Sequence, residues 1–196
     1  HFHAFLNACR HRGAQVTQVE RGRKNIFVCP FHSWSYANTG KLIAITDEQD
    51  FGAFDKSCNG LVELPAVERA GMLWVHPQPD GQLDVDALLG EPLLEEISSH
   101  NVGELAYGAN KTIKMNLNWK LANDTFGETY HFAKLHKNTL AHVFKGNNLH
   151  FEEFGRHHRF TTASNGIDSL EGKPESEWDF WESTAFMLYY IYPNTT

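Results

Sequence analysis

The stretches C-R-H-R-G at 9–13 and C-P-F-H-S-W-S-Y at 29–36 decide how this chain is read. Each offers a thiolate and an imidazole on a tight loop, Cys9 with His11 and Cys29 with His32, and seventeen residues separate His11 from Cys29. Two sulfurs and two ring nitrogens together make a four-ligand site for a borderline-soft metal centre. Structural zinc and an iron–sulfur cluster both accept that donor set. A zinc ribbon usually repeats C-x2-C or pairs it with H-x3-H, and neither spacing occurs here. Both halves of the signature coincide, so a chance scatter of polar loop residues is a poor account of them.

The flanks separate the remaining readings. Arg12 and Gly13 follow C-x-H, S-W-S-Y follows C-P-F-H, and T-G-K-L comes shortly after. Over residues 1–80 this is similar to the Rieske domain of ring-hydroxylating oxygenases. The resemblance implies a [2Fe–2S] cluster with Cys9 and Cys29 on one iron and His11 and His32 on the other. Neutral imidazoles in place of two thiolates reduce the negative charge on such a cluster and raise its potential. Respiratory-type Rieske domains add a second cysteine to each loop. Here Ala14 and Phe31 lie in those neighbourhoods, which favours the oxygenase and ferredoxin type. Trp34 and Tyr36 either shield and hydrogen-bond the cluster or pack under the loop.

Working outward, 196 residues suffice for one large domain or two small ones, and 41% hydrophobic with 21% charged residues is far from a disordered composition. A net charge of −7 gives no basic field for nucleic acid or an anionic membrane, and no apolar run reaches the roughly twenty residues of a membrane span. With two cysteines committed to the motif, Cys58 stands alone. No disulfide framework is available, which suits a reducing cytoplasm. The chain starts at His1 inside a strand-like run and stops just after another, so both ends read as cut.

Strand-like runs at 1–7, 25–29, 41–45, 61–64 and 72–75 alternate with glycine-marked turns, the pattern of a small all-β domain. A polar linker, P-Q-P-D-G-Q, follows. Residues 84–100 read as a helix or two, interrupted at Gly90-Glu91-Pro92, and T-I-K-M-N at 112–116 reads as a strand. Residues 119–135 read as a helix with Trp119, Leu121, Ala122, Phe126, Tyr130 and Phe132 as its apolar surface. Strand candidates recur at 149–154, 159–163 and 184–192. The aromatic runs W-D-F-W and F-M-L-Y-Y-I-Y read as core rather than pocket lining.

A second constellation lies in the 119–138 region. Glu128 stands three residues before His131, and both share a helix face with Asp124. His131 and His136 are five apart, about 140° on an ideal helix, so they meet one ion only where the helix ends between them, at 134–138. Two imidazoles with a carboxylate from elsewhere form the facial triad of non-haem Fe(II) oxygenases. Other histidines, His142, His150, His157 and His158, read as surface or core residues.

N-W-K, then acid-x-Y-H, then x4-H, resembles the catalytic domain of the same oxygenase family, in the order that family uses. The resemblance implies His131 and His136 as ligands of a mononuclear iron. It makes Glu128 the acid that bridges one of them to a Rieske histidine of a neighbouring subunit. Many members carry Asp there; the longer Glu resembles the branch acting on quaternary amines. Asn123 lies near a polar position of the family. The third ligand, an Asp far downstream in relatives, falls beyond Thr196, and Asp168 and Asp179 come too early.

The expected fold is α+β: a small all-β Rieske domain, 1–80, then the start of a helix-grip catalytic domain, 81–196, with antiparallel sheet plus helices, truncated at both ends. The expected activity is mono- or dioxygenation of an organic, aromatic substrate by O2. Electrons would come from NAD(P)H through a reductase and possibly a ferredoxin, in a homotrimer or α3β3 assembly located in the cytoplasm. A Rieske-type oxygenase of the quaternary-amine or demethylating kind, a Rieske electron carrier and a zinc interaction module are the competing readings.

Overall fold

The computed structural model describes residues 2–196; His1, at the head of the first expected strand, lies outside the described residues. The chain divides into two compact units, His1–Val85 with His100–Leu105, and Asp86–Ser99 with Ala106–Thr196.

The first unit is built from short antiparallel pairs. Strand β1 (Ala4–Phe5) is paired from a distance by β5 (Glu63–Leu64), and β2 (Ile26–Val28), β3 (Ser35–Ala37) and β4 (Leu42–Ala44) form a three-stranded meander. A register irregularity between Ser35 and Tyr36 turns the middle strand. Strands β6 (Ala66–Arg69) and β7 (Met72–Val75) make a hairpin. Sequence periodicity misses β3 and β6, because S-Y-A and A-V-E-R are too short to display an alternation. The core is small: Val16, Trp34, Tyr36, Leu42 and Ile45, together with Cys9 and Cys29 themselves. Residues 100–105 close on this unit at Gly71, whose φ is +73°; a β-carbon there would lie 2.2 Å from the Gly103 nitrogen. Only glycine meets both conditions.

The second unit opens with α1 (Val85–Leu89) and α2 (Glu91–Ser99), separated as expected at Gly90, φ +74°. Pro92 is accommodated in the first turn of α2, where its missing N–H costs nothing. Leu89, Leu93 and Ile97 recur at four-residue spacing and are buried. Helices α3 (Trp119–Phe126) and α4 (Phe132–Leu135) precede a sheet of β8 (Phe144–Phe154), β9 (His157–Ser164) and β10 (Ala185–Tyr190), with β9 central; α5 (Phe180–Ser183) leads into β10.

Alternation along β9 gives the sheet two different faces. On one, Arg159 pairs with Glu152 of β8 and Glu96 of α2, and the Tyr189 hydroxyl donates to Glu96 at 2.6 Å. His157, also there, bonds through Nε2 to the Leu88 carbonyl at 2.7 Å and accepts the Tyr192 N–H at Nδ1, a core histidine as expected. The other face carries Phe160, Phe186 and Leu188.

Three expectations fail. Residues 112–116 form no strand; Ile113 and Met115 are exposed. The single helix over 119–135 is two helices, broken at Gly127, and of its expected apolar surface only Phe132 is buried. W-D-F-W is not core: Asp179 caps α5 by accepting the Trp181 N–H, and Trp178, Phe180 and Trp181 are exposed. No helix among the described residues is long and apolar enough to cross a membrane.

Candidate metal centres

The two Cys–His loops are closed in the same way. In the first, Cys9 N–H donates to the Ala14 carbonyl and Gly13 N–H to the Cys9 carbonyl, both at 2.8 Å. In the second, Cys29 N–H donates to Trp34 at 2.8 Å and Ser33 N–H to Cys29 at 3.0 Å. The residue four after each cysteine is left-handed, Gly13 at φ +73° and Ser33 at φ +58°. Within these matched frames the histidines differ in place: His11 is the second residue after its cysteine, His32 the third. The loops bring the two rings together, centroids 4.7 Å apart, while both thiols are buried.

Tyr36, fully buried beneath the first loop, places its hydroxyl 3.2 Å from Cys9 Sγ and accepts the Arg10 N–H at 3.0 Å. Burial, reinforced by the Cys9 contact, pushes its phenol well above the ordinary value. Trp34 stacks on His11, centroids 4.9 Å and planes 9° apart. Burial, then His32 and Arg12, hold His11 below its usual value, the direction that favours the neutral ring a metal ligand requires. His11 Nδ1 is buried with no hydrogen-bond partner. An orphaned ring nitrogen and two buried thiols within one pair of loops fit a cluster that takes two sulfurs and two nitrogens.

The second site begins where α3 stops. Gly127 N–H bonds back to the carbonyls of Asn123 and Asp124, which ends the helix. Glu128 then folds the following turn onto itself. One carboxylate oxygen meets His131 Nδ1, and the other accepts the N–H groups of Tyr130 and His131. Burial raises the Glu128 carboxyl, but the His131 and Tyr130 hydrogen bonds outweigh it and the net direction is down. Thr129, buried, ties the turn to β8 by donating to the Gly146 carbonyl at 2.9 Å. His131 and His136 stand at the two ends of the four-residue α4, not along one long helix, and their rings lie 5.1 Å apart. With Nδ1 of His131 occupied by the carboxylate, its Nε2 is the nitrogen left to bind a metal.

A cavity of about 360 Å³ opens beside these histidines, lined chiefly by Phe126, Phe132, Leu135, Leu140, Phe160 and Phe186. Thr129 and the alternate residues Phe186 and Leu188 were not legible as site residues. The signal was the alternation within F-M-L-Y-Y, which sends 186 and 188 to one face and Met187 and Tyr189 to the other. Asp168 pairs with Lys145 Nζ at 2.5 Å and Asp179 caps α5, so neither acid turns to the histidines. Among the described residues no three His, Cys, Asp or Glu side chains gather as ligands of a single ion. A diiron cluster does not ask for three on one iron, and at the second site Glu128 serves as hydrogen-bond acceptor to a histidine.

A β-module with paired Cys–His loops, followed by an α+β unit with paired histidines over an antiparallel sheet, has the layout of the Rieske oxygenase class. Residues 1–63 match the model of the Rieske [2Fe-2S] domain, and residues 102–196 match that of the ring hydroxylating alpha subunit catalytic domain. The chain belongs to the Rieske-type ring-hydroxylating oxygenase alpha subunits, a family that implies a Rieske cluster and a non-haem iron. The large subunit of anthranilate 1,2-dioxygenase from Acinetobacter baylyi is 28% identical over 99% of this chain and 42% of that protein. The large oxygenase component of the naphthalene 1,2-dioxygenase system from Pseudomonas putida is 33% identical over 70% of this chain and 32% of its own. A crystal structure of a quaternary ammonium Rieske monooxygenase shares the fold, with a TM-score of 0.79 at 20% identity over 97% of this chain and 49% of that one. The chain thus spans less than half the length of these relatives.

Proposed function

We propose that this chain is the part of an oxygenase component that carries its Rieske centre and two ligands of its mononuclear iron. Cys9, His11, Cys29 and His32 would hold the [2Fe–2S] cluster, and His131 and His136 the Fe(II). When bound, the two iron groups supply one-electron transfer and O2 chemistry. The observation that carries this reading is Glu128 fixing His131 beside His136 at the mouth of an apolar cavity.

The residues' own tasks follow from the geometry. Glu128 holds the hydrogen on His131 Nδ1 and so leaves Nε2 as the nitrogen for the metal. Thr129 and Phe132 fix the backbone on either side of that histidine. The aromatic and aliphatic lining excludes water and favours an apolar, aromatic substrate. His11 is the shielded cluster histidine, whereas His32 is exposed, which supports His32 as the one that meets Glu128 of a neighbouring subunit in a homotrimer or α3β3 assembly. Electrons would originate from NAD(P)H and arrive through a reductase, possibly with a ferredoxin, in the cytoplasm.

Iron and sulfide analysis of the full-length holoprotein tests this. About three irons and two sulfides per subunit are expected. Two irons would make it an electron carrier, and zinc without sulfide would make it neither. A quaternary-amine substrate is the second reading, favoured by Glu128 where many aromatic dioxygenases have Asp. Product analysis under labelled O2, with an aromatic and a quaternary amine as competing substrates, separates the two.

A further inference from the structure

The rings of His131, His157 and His11 are set in three different ways. A carboxylate meets His131 Nδ1, and backbone groups meet both nitrogens of His157. The Nδ1 of His11 is buried with no such partner, so no hydrogen bond at that atom sets the ring plane. What lies against that ring instead is Trp34, 3% exposed and nearly parallel to it at 4.9 Å. The indole is itself wedged. Phe51 and Phe54 meet it edge-on at 5.9 and 5.5 Å, and Phe51 also meets the His11 edge at 6.4 Å.

The second loop has no equivalent. The ring of His32 is exposed, and its near aromatic neighbour apart from His11 is Phe31, itself 60% exposed. An imidazole turns freely about its last side-chain bond, which has broad wells. A flat, immobile plate against one face removes that freedom, because tilting the imidazole would drive its edge into the indole.

We propose that Trp34 is a positioning residue for His11: the indole, braced by Phe51 and Phe54, sets the ring plane through which Nδ1 is offered to the cluster. This rests on the reading that Cys9, His11, Cys29 and His32 hold that cluster. It makes the two histidine ligands inequivalent, one rigidly set and one free to respond to its surroundings.

Pulsed electron paramagnetic resonance of the reduced holoprotein tests it by resolving the two nitrogen couplings of the mixed-valent cluster. Trp34→Leu keeps apolar bulk but removes the plate, and it should shift or broaden one coupling while leaving the other unchanged. Trp34→Phe restores a flat ring and should return that coupling toward its original value. Both couplings unchanged in Trp34→Leu, with the cluster retained, would overturn the inference and leave Trp34 as packing. Should Trp34→Leu fail to assemble the cluster, Phe51→Ala at the rim decides: one broadened coupling supports the proposal, and two unchanged couplings overturn it. No mixed-valent signal in the unsubstituted holoprotein would instead remove the cluster reading, and this inference with it.

Discussion

Glu128 holds His131 twice over: one carboxylate oxygen takes the imidazole Nδ1 and the other accepts the backbone N–H groups of Tyr130 and His131, just before α4. Side-chain orientation and local backbone are therefore set by one residue. Glu128→Gln keeps the length but not the charge. The substituted protein should retain both metals and lose turnover by roughly 10–100-fold, the usual scale for removing an outer partner of a ligating histidine. Turnover equal to the parent's, with iron content intact, would rule out this role.

His131→Ala and His136→Ala should each release the mononuclear iron while the visible absorption of the cluster persists. The two candidate centres lie in separate compact units, so loss at one leaves the loops of the other folded. Iron per subunit and the absorption spectrum check this together; bleaching of the cluster would assign these histidines to the wrong centre.

Much of this arrangement is legible in sequence because ligand chemistry is local. C-x-H, C-P-F-H and E-x-Y-H-x4-H carry their geometry in their spacing, and Gly90 announces the break between α1 and α2. The misses share a physical cause. The turn at Gly127–His131 is stabilised by Glu128 and Thr129 side chains bonding to backbone, a choice that helical periodicity does not encode. The strand expected at 112–116 needs a neighbour to supply its ladder, and propensity alone says nothing about one. Trp178, Phe180 and Trp181 look like core by composition, but a four-residue helix capped by Asp179 leaves them outside.

Tyr36 spans two jobs, contacting Cys9 Sγ and satisfying the Arg10 N–H. With Cys9 as a metal-bound thiolate, the phenol O–H is the donor to sulfur. Tyr36→Phe should cost about 1 kcal/mol in stability for the hydrogen bonding lost. It should also lower the cluster's reduction potential, because a donor to sulfur favours the more negative, reduced state. Denaturant titration and a redox titration read the two effects separately; an unmoved potential would mean that the hydroxyl serves the backbone alone.

The matched loops invite opposite substitutions. Gly13 has φ +73°, and a β-carbon there meets nothing within 4 Å, so Gly13→Ala should cost only the left-handed backbone penalty, about 1–2 kcal/mol. Ser33 already bears that penalty at φ +58°. Ser33→Gly should therefore stabilise, by less than about 1 kcal/mol, since glycine also frees the unfolded chain. Urea midpoints of the two variants should move in opposite directions from the parent; movement in the same direction would mean that side-chain contacts, not backbone conformation, govern these positions.

His158 lies between Phe151 and Tyr190, ring centroids 4.9 Å on either side. Burial holds it below the ordinary histidine value of 6.5; His157 adds to that, and Glu153 opposes it. The neutral ring is thus the form the fold favours, and below that value the unfolded chain binds the extra proton first. Stability from this group is complete above the ordinary value and falls as pH drops through it toward the folded value. Unfolding free energy should then be smaller at about pH 5.5 than at about pH 7.5. His158→Phe, which keeps an aromatic ring between the same neighbours, should flatten that dependence. Parallel pH profiles for the two proteins would mean that this ring is not the source of the slope.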